Sequence, residues 1–283
     1  MTPRCIILDF DGTFTDVERE AVPFVAAFRA EVADLLGRAI DGAWEEAATE
    51  IARHPGRYGW VHEGRIVAPA WADPYILSTT IAQRIFDGAG ILRDPKTRAA
   101  VTSTLYHLAY EHTQAAFRPG AREVLEAIAA SGIPAYVVTN ARTDAVARKL
   151  GVLGPSGIER LAIVGDAQKF VVGEPKVADA RFDAVAVERS IEGLERPVYP
   201  RRGRYFDALA RIMAETGTTP AEVLVCGDIY ELDLALPIEL GMNVQLVTGG
   251  STPKHEIAAI EALGARGGHA GDLRAILARI GRA

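Results

Sequence analysis

Residues 6–13 read IILDFDGT, a short apolar run that ends in two aspartates, Asp9 and Asp11, followed at once by a glycine. An apolar run of this length bounded by glycine predicts a buried strand of an α/β sheet, and ligands of such sheets bind beyond the carboxyl ends of the strands. Two carboxylates this close repel each other unless a cation neutralises them, and a divalent cation with oxygen ligands does so. We therefore predict a magnesium site with a carboxylate nucleophile at the end of this strand.

The composition limits the class of protein and of partner. The chain has 283 residues, 49% of them apolar and 24% charged, which is enough for one large domain or two modest ones. The net charge is -6 and the pI about 5.6, so we expect no nucleic-acid or membrane partner. Cys5 and Cys226 lie inside apolar runs, which is typical of buried thiols in a reducing compartment. No secretory signal and no apolar run of about 18 residues is present, so we predict a cytoplasmic protein.

Residues 17–116 have mostly helical patterns, with apolar residues at three- and four-residue spacings. Helices are predicted at 21–36, 43–53, 74–87 and 95–115. An imperfect alternation around Glu63 and Gly64 predicts a small hairpin. The length of this insert suits a small domain of its own.

From Phe117 onward the pattern changes to alternating strands and helices. Strands are predicted at 135–138, 161–164, 223–226 and 244–247, and helices around 124–128, 143–150, 204–216, 234–240 and 272–280. Such alternation indicates a parallel sheet covered on both faces. We predict an α/β fold, a Rossmann-like doubly wound core of residues 1–16 and 117–283, with the mostly helical insert 17–116 as a second domain. Residues 170–203 fit neither pattern and are predicted to be irregular.

Polar side chains follow three of the predicted strands. They are Asp9 and Asp11 on the first, Thr139 and Asn140 on the second core strand, and Asp228 and Asp233 on a later one. One aspartate at a strand end is commonly a helix cap or a turn residue. Three polar strand ends that meet at one edge of a parallel sheet indicate a functional site.

These segments resemble three motifs of the haloacid dehalogenase (HAD) superfamily. Residues 9–13 (DFDGT) resemble its first motif, 137–140 (VVTN) its second and 227–233 (GDIYELD) its fourth. The resemblance covers the core, about 1–16 and 117–250, and three ordered motifs are far more specific than one. It implies a Mg²⁺-dependent phosphohydrolase, with the insert as a cap domain that closes over the site and excludes water.

The resemblance also implies a role for each acidic residue. Asp9 would be the nucleophile that forms an aspartyl-phosphate, and Asp11 the general acid that protonates the leaving oxygen and then activates water. Mg²⁺ would be held by the Asp9 carboxylate, the Asp11 main-chain carbonyl and Asp228. Asp233 would act on the metal through water or as an orienting group.

The same resemblance implies a small phosphorylated metabolite as the partner. The Thr139 hydroxyl and nearby main-chain N–H groups would donate to its phosphate oxygens, with Asn140 close by. The sequence does not identify this substrate, because the cap would select it. It does not predict the oligomeric state either.

The third motif of the family, a lysine that screens the nucleophile and the phosphate, is where the sequence departs from the pattern. The usual lysine-proline run before the fourth-motif strand is absent. Lys169 follows the predicted strand at 161–164 in a chain with only five lysines, and Arg201 and Arg202 precede the helix at 204–216. We favour Lys169 over Arg202, since a planar guanidinium does not replace a compact ammonium without consequence. Lys176 and Arg201 are the next candidates.

Other activities of the same fold stay open at this point. A 2-haloacid dehalogenase uses the aspartate nucleophile without a metal and needs no acid at the second position, so Asp11, Asp228 and Asp233 argue against it. No residue distinguishes a phosphomutase from a hydrolase. Because the third motif is irregular, a catalytically silent phosphate-binding regulatory protein is the alternative from another class.

Overall fold

The computed structural model describes residues 2–281, which divide into two compact units. The first unit comprises 2–16, 117–192 and 197–281 of the described chain, and the second comprises 17–116 and 193–196. Each unit has its own cluster of buried apolar side chains.

The first unit contains both strands and helices, whereas the second is mostly helical. The strands are β1 (Cys5–Leu8), β2 (Gly59–His62), β3 (Arg65–Pro69), β4 (Ala135–Val138), β5 (Leu161–Val164), β6 (Val223–Gly227), β7 (Asn243–Val247) and β8 (Gly267–Ala270). The helices are α1 (Val17–Glu20), α2 (Val22–Leu36), α3 (Asp41–Arg53), α4 (Pro74–Ala89), α5 (Pro95–Tyr110), α6 (Ala121–Ala129), α7 (Thr143–Leu153), α8 (Ala180–Asp183), α9 (Gly203–Thr216), α10 (Ala235–Glu239), α11 (Lys254–Glu261) and α12 (Arg274–Arg279).

A six-stranded sheet forms the centre of the first unit. Its strands lie in the order β5-β4-β1-β6-β7-β8, and every neighbouring pair is parallel. β1 therefore lies between β4 and β6, and the carboxyl ends of these three strands meet at one edge of the sheet. Long connections are required between parallel strands, and most of them contain helices in this protein.

Helices cover both faces of this sheet. Ile6 and Leu8 of β1 belong to a buried cluster that includes residues of α6, α7 and α12. Side chains alternate along a strand, so the neighbouring positions point to the opposite face. On that face the Tyr136 hydroxyl of β4 donates to Glu215 of α9 over 3.4 Å. The predicted α/β, doubly wound parallel sheet is confirmed.

Three elements of the first unit were not predicted: β8, α11 and α8. Strand β8 has the sequence Gly-Gly-His-Ala, which lacks an apolar run, and it pairs with β7 at the edge of the sheet. Helix α11 lies between β7 and β8. The segment 170–203, predicted to be irregular, contains the four-residue helix α8 and two isolated β-bridges. The predicted helix 234–240 is a π-helical turn, Tyr230–Leu234, continued by α10.

The second unit consists of α1 to α5 and an antiparallel hairpin of β2 and β3. The predicted hairpin is confirmed, with a register shift between Trp60 and Val61. The core of the unit is aromatic: Phe24 stacks on Phe28 at 5.4 Å between ring centroids and meets Tyr75 edge-on at 4.6 Å. The predicted helix 95–115 ends earlier, at Tyr110. Within residues 2–281 we find no helix that combines the length and the apolar character needed to cross a bilayer.

Candidate active site

The polar residues singled out in the sequence follow adjacent strands of the first unit. Asp9 comes directly after β1, Thr139 after β4 and Asp228 after β6. The Asp9 N–H donates to the Cys226 carbonyl of β6 over 2.8 Å, which continues the sheet hydrogen bonding one residue beyond β1. The parallel register therefore brings these residues to one edge of the sheet.

Three carboxylates meet at this edge. Asp9, Asp228 and Asp233 each present an oxygen such that the three atoms lie within 4.8 Å of one another. The Thr13 hydroxyl lies between two of them, 3.3 Å from Asp9 Oδ2 and 3.1 Å from Asp228 Oδ1. Because a hydroxyl has one proton, it donates to only one of these oxygens at a time.

The Lys169 ammonium lies on the inner side of this cluster. Its Nζ is 2.7 Å from Asp9 Oδ1 and 2.8 Å from Asp233 Oδ1, and the lysine is buried. Asp166 and Gln168 have φ of 52° and 48°, a left-handed conformation that is uncommon outside glycine. The Lys169 N–H donates to Asn140 Oδ1 over 2.7 Å, which fixes the end of this loop to the second motif.

The charges of this cluster do not balance. Burial raises the pKa of Asp9 to about 7, and the carboxylate of Asp233 adds to this, although the Lys169 ammonium acts in the opposite direction. Burial alone would lower the pKa of Lys169, but the carboxylates of Asp233 and Asp9 raise it above its usual range. Lys169 therefore stays charged, and one ammonium faces more negative charge than it neutralises.

The π-helical turn after β6 places Asp233. The Ile229 N–H donates to Asp233 Oδ2 over 3.0 Å, and the Tyr205 hydroxyl donates to the Asp233 carbonyl over 3.0 Å. The ring of Tyr205 also faces the Lys169 ammonium, at 5.4 Å from its centroid. A Cβ at Gly227 would lie 2.4 Å from the Asp233 Cβ, so only glycine allows this approach.

Asp11 lies on the outer side of the site and pairs with a different lysine. Its Oδ1 accepts from Lys149 Nζ of α7 over 2.6 Å. Directly after Asp11, Gly12 has φ of 81°, and a Cβ there would lie 2.1 Å from Asp228 Oδ2. The turn after β1 therefore requires glycine because it passes directly against Asp228.

A family model for haloacid dehalogenase-like hydrolases matches residues 3–241. The chain belongs to this family. The match confirms the family resemblance that three strand-end motifs of the sequence indicated.

Solved structures share the fold of this HAD hydrolase at low identity. The magnesium-bound HAD-hydrolase YfnB from Bacillus subtilis is 12% identical, with a TM-score of 0.51 over 99% of this chain and 100% of that chain. A protein from Haemophilus somnus 129pt, named a predicted phosphoglycolate phosphatase, is 14% identical, with a TM-score of 0.54 over 98% of each chain. The HAD-like protein SP0104 from Streptococcus pneumoniae is 15% identical, with a TM-score of 0.53 over 98% of this chain and 97% of that chain. No curated protein matches the sequence.

The four cations considered for the third HAD motif occupy different places. Lys169 is the candidate that the structure brings to Asp9. The Nε of Arg202 instead donates to the Tyr199 carbonyl over 2.6 Å. Arg201 pairs with Glu174 at 2.7 Å, and Lys176 is exposed. The contact with Asp9 favours Lys169 for the third-motif role, and the assignment of that role stays a prediction.

The two residues predicted to bind phosphate, Thr139 and Asn140, make different hydrogen bonds. The Thr139 hydroxyl oxygen accepts from the Ala141 N–H over 3.2 Å, so its own proton can be donated to a ligand. The Asn140 side-chain oxygen is used to hold the Lys169 backbone. Asn140 thus has a structural contact that the sequence analysis did not foresee.

Three contributors to the site were missed by sequence reasoning: Thr13, Lys149 and Tyr205. Thr13 is part of the first motif and was not assigned a role. Lys149 had a signal, because it follows the buried Val146 of α7 by three residues and so shares its apolar face, where a lysine is unexpected. Tyr205 lies among apolar residues of α9 and gave no signal.

The donor set of this HAD site fits a divalent cation. Asp9, Asp228 and Asp233 offer carboxylate oxygens, the ligands that Mg²⁺ takes in proteins. Burial, and after it the neighbouring Asp233 carboxylate, raise the pKa of Asp9, and a bound cation would offset both effects. Both the ligand chemistry and the charge of these residues therefore fit a divalent cation.

Proposed function

We propose that this HAD hydrolase is a Mg²⁺-dependent phosphohydrolase that cleaves small phosphomonoesters through an aspartyl-phosphate on Asp9. One observation carries the proposal: the Asp9 carboxylate is held between the Lys169 ammonium and a group of further carboxylates suited to a metal. A nucleophile surrounded in this way can meet a dianionic phosphate only if cations offset the repulsion. The magnesium-bound HAD hydrolase with the same fold is consistent with this cofactor.

The proposed reaction uses Asp9 as the nucleophile and Asp11 as the group that donates and then accepts a proton. An Asp9 oxygen attacks the phosphorus, the bond from phosphorus to the ester oxygen breaks, and protonated Asp11 gives its proton to that oxygen. Water then attacks the phosphorus, Asp11 takes the proton of the water, and the bond to Asp9 breaks to release phosphate. Lys169 stays charged throughout and offsets negative charge on Asp9 and on the transferring group.

The metal would be held by the carboxylates of Asp9 and Asp228 and by the main-chain carbonyl of Asp11, with Asp233 acting through water. When bound, it supplies positive charge to the phosphate oxygens and orients the phosphate toward Asp9. The Thr139 hydroxyl donates to a phosphate oxygen. None of these positions requires Asn140 to contact the substrate.

The acidic cluster also separates this activity from halide removal. A 2-haloacid substrate carries a carboxylate, and its hydrolysis requires neither a metal nor a second acid. Three further aspartates of the site would repel this substrate carboxylate without contributing to the reaction. They are Asp11, Asp228 and Asp233. The observed cluster therefore favours phosphoryl transfer.

A turnover screen tests the proposal. Phosphorylated metabolites are incubated with and without Mg²⁺, and both inorganic phosphate and isomerised sugar phosphates are measured. We expect phosphate release that needs Mg²⁺, is lost in excess EDTA and is abolished in Asp9→Asn. Isomerisation without phosphate release would identify a mutase. Phosphate binding without turnover of any substrate would identify a regulatory protein.

A further inference from the structure

Lys149 is the second buried lysine that pairs with an acid of the first motif. Its Nζ lies 2.6 Å from Asp11 Oδ1, and its side chain is largely buried. Only five lysines occur in the chain, so two of the five pair with the two aspartates of one motif. Membership of the family by itself gives Lys149 no role.

The sequence around Lys149 explains how the ammonium reaches the site. Helix α7 begins at Thr143, directly after the loop that carries Thr139 and Asn140. Helical side chains tilt toward the helix N-terminus, so the long stem of a lysine in the second turn points back toward the strand ends. Val146 and Leu150 are buried on the same helix and anchor it to the sheet. The packing of α7 therefore fixes the backbone of Lys149, and burial limits the conformations that its side chain can adopt.

The ion pair has a defined consequence for Asp11. Lys149 donates to Oδ1, which leaves Oδ2 as the oxygen that carries a proton to and from the reacting groups. A carboxyl group on a turn between strand and helix has several rotamers, and an oriented proton donor requires one of them. Loss of orientation by about 1 Å is enough to cost up to about a hundredfold in rate.

We propose that Lys149 is a positioning residue for proton transfer: it holds the Asp11 carboxyl in the orientation that serves the leaving oxygen of poor leaving groups. This inference rests on the phosphohydrolase function proposed above. In this proposal the effect of Lys149 on the reaction passes through the Asp11 carboxyl, which lies 2.6 Å from its ammonium. Lys149 differs in this respect from Lys169, whose charge acts directly on the proposed nucleophile, Asp9.

The first test separates proton positioning from general stability. Lys149→Met removes the ammonium and keeps most of the apolar stem, and Lys254→Met, at an exposed lysine on α11, is the matched control. The rate of alcohol release in a single turnover is measured for an alkyl phosphomonoester and for p-nitrophenyl phosphate. We expect Lys149→Met to slow the alkyl ester by about 10- to 100-fold. The aryl ester, whose leaving group needs little protonation, should lose less than about threefold, and KM should change little.

The second test is a double-mutant cycle with Asp11→Asn, which keeps a side-chain oxygen for Lys149. If Lys149 acts through Asp11, the double variant is no slower on the alkyl ester than Asp11→Asn alone. Multiplicative losses, or equal losses on the alkyl and aryl esters, would overturn the inference while the wild type remains an active phosphatase. A wild type that hydrolyses no phosphomonoester overturns the proposed function and this inference with it. Thermal melting of each variant shows whether it is folded.

Discussion

The two lysine–aspartate pairs of the site differ in burial and in the charges that meet. On the inner side, the side chain of Lys169 is 1% exposed and contacts two carboxylates, those of Asp9 and Asp233. On the outer side, the side chain of Lys149 is 10% exposed and that of its partner Asp11 is 26% exposed. The inner pair, together with Asp233, therefore has excess negative charge and little contact with water. The Asp11 carboxyl group of the outer pair is partly exposed to water.

This difference suits the two pairs to different chemistry. A buried group with uncompensated negative charge attracts a metal ion and holds a nucleophile in place. A partly hydrated carboxyl group can exchange a proton with a leaving group and with water at low cost. Burial therefore distinguishes the proposed nucleophile, Asp9, from the proposed proton carrier, Asp11, although the two aspartates are only two residues apart.

The largest loss of activity is expected for Lys169→Met, which removes the cation of the inner pair. Removal of the ammonium leaves Asp9 and Asp233 buried against each other without that cation. The rate should fall by about a hundred- to a thousandfold, as for loss of one preorganised charge-stabilising group, and equally for alkyl and aryl esters. Single-turnover rates check this, with Lys254→Met as the control. A loss confined to alkyl esters would place Lys169 in the same role as Lys149.

The next effect concerns metal affinity and pH. Because the pKa of Asp9 is raised to about 7, Asp9 is protonated below that pH in the metal-free protein, and Mg²⁺ must displace the proton. The affinity for Mg²⁺ should therefore fall by up to about tenfold per pH unit below 7 and level off above it. Isothermal titration at pH 5.5 to 8.5 measures this. Asp11→Asn should change this pH dependence only slightly, because Asp11 contributes least to the raised pKa of Asp9. An affinity independent of pH in the wild type would contradict the raised pKa.

A smaller effect is expected on stability in EDTA. The folded protein retains a proton on Asp9 up to a pH of about 7, whereas an unfolded aspartate loses it near 3.8. In this range the folded state binds more protons, so its free energy of unfolding falls as the pH rises and stays low above 7. Asp9→Asn should then stabilise the protein on the order of 1–3 kcal/mol at pH 8 and little at pH 4.5.

Urea unfolding at the two pH values measures this change. Asp11→Asn provides the comparison, and it should not stabilise the protein at either pH, because it removes a favourable ion pair with Lys149. A destabilised Asp9→Asn at pH 8 would show that Lys169 compensates Asp9 fully.

The smallest effect is expected for Tyr205→Phe. The change removes the hydroxyl that donates to the Asp233 carbonyl and keeps the ring beside Lys169. Loss of one buried hydrogen bond costs about 1 kcal/mol and shifts Asp233 slightly. We expect a loss of less than about tenfold in rate and a modest drop in Mg²⁺ affinity, with the leaving-group dependence unaltered. A selective loss on alkyl esters would show that the two sides of the site are coupled.

The parts that local patterns encode were predicted well. The run before Asp9, the alternation of strands and helices and the three polar strand ends follow from short-range preferences. Strand β8 and helix α11 were missed because a Gly-Gly-His-Ala strand at the sheet edge lacks the apolar pattern on which the prediction relied. The structure also differs from the prediction at residues 170–203 and 230–234. In both segments the backbone conformation follows no hydrophobic periodicity, so the sequence pattern did not predict it.

Local sequence patterns are sufficient to predict the α/β core and the sheet edge at which Asp9, Thr139 and Asp228 lie, because apolar strands and parallel pairing bring these positions together. Which lysine pairs with which aspartate depends on the folded chain. Lys169 is 160 positions from Asp9 and Lys149 is 138 from Asp11. Those contacts depend on a left-handed loop after β5 and on the packing of α7. Such long-range geometry is set by the folded chain as a whole, and no local pattern encodes it.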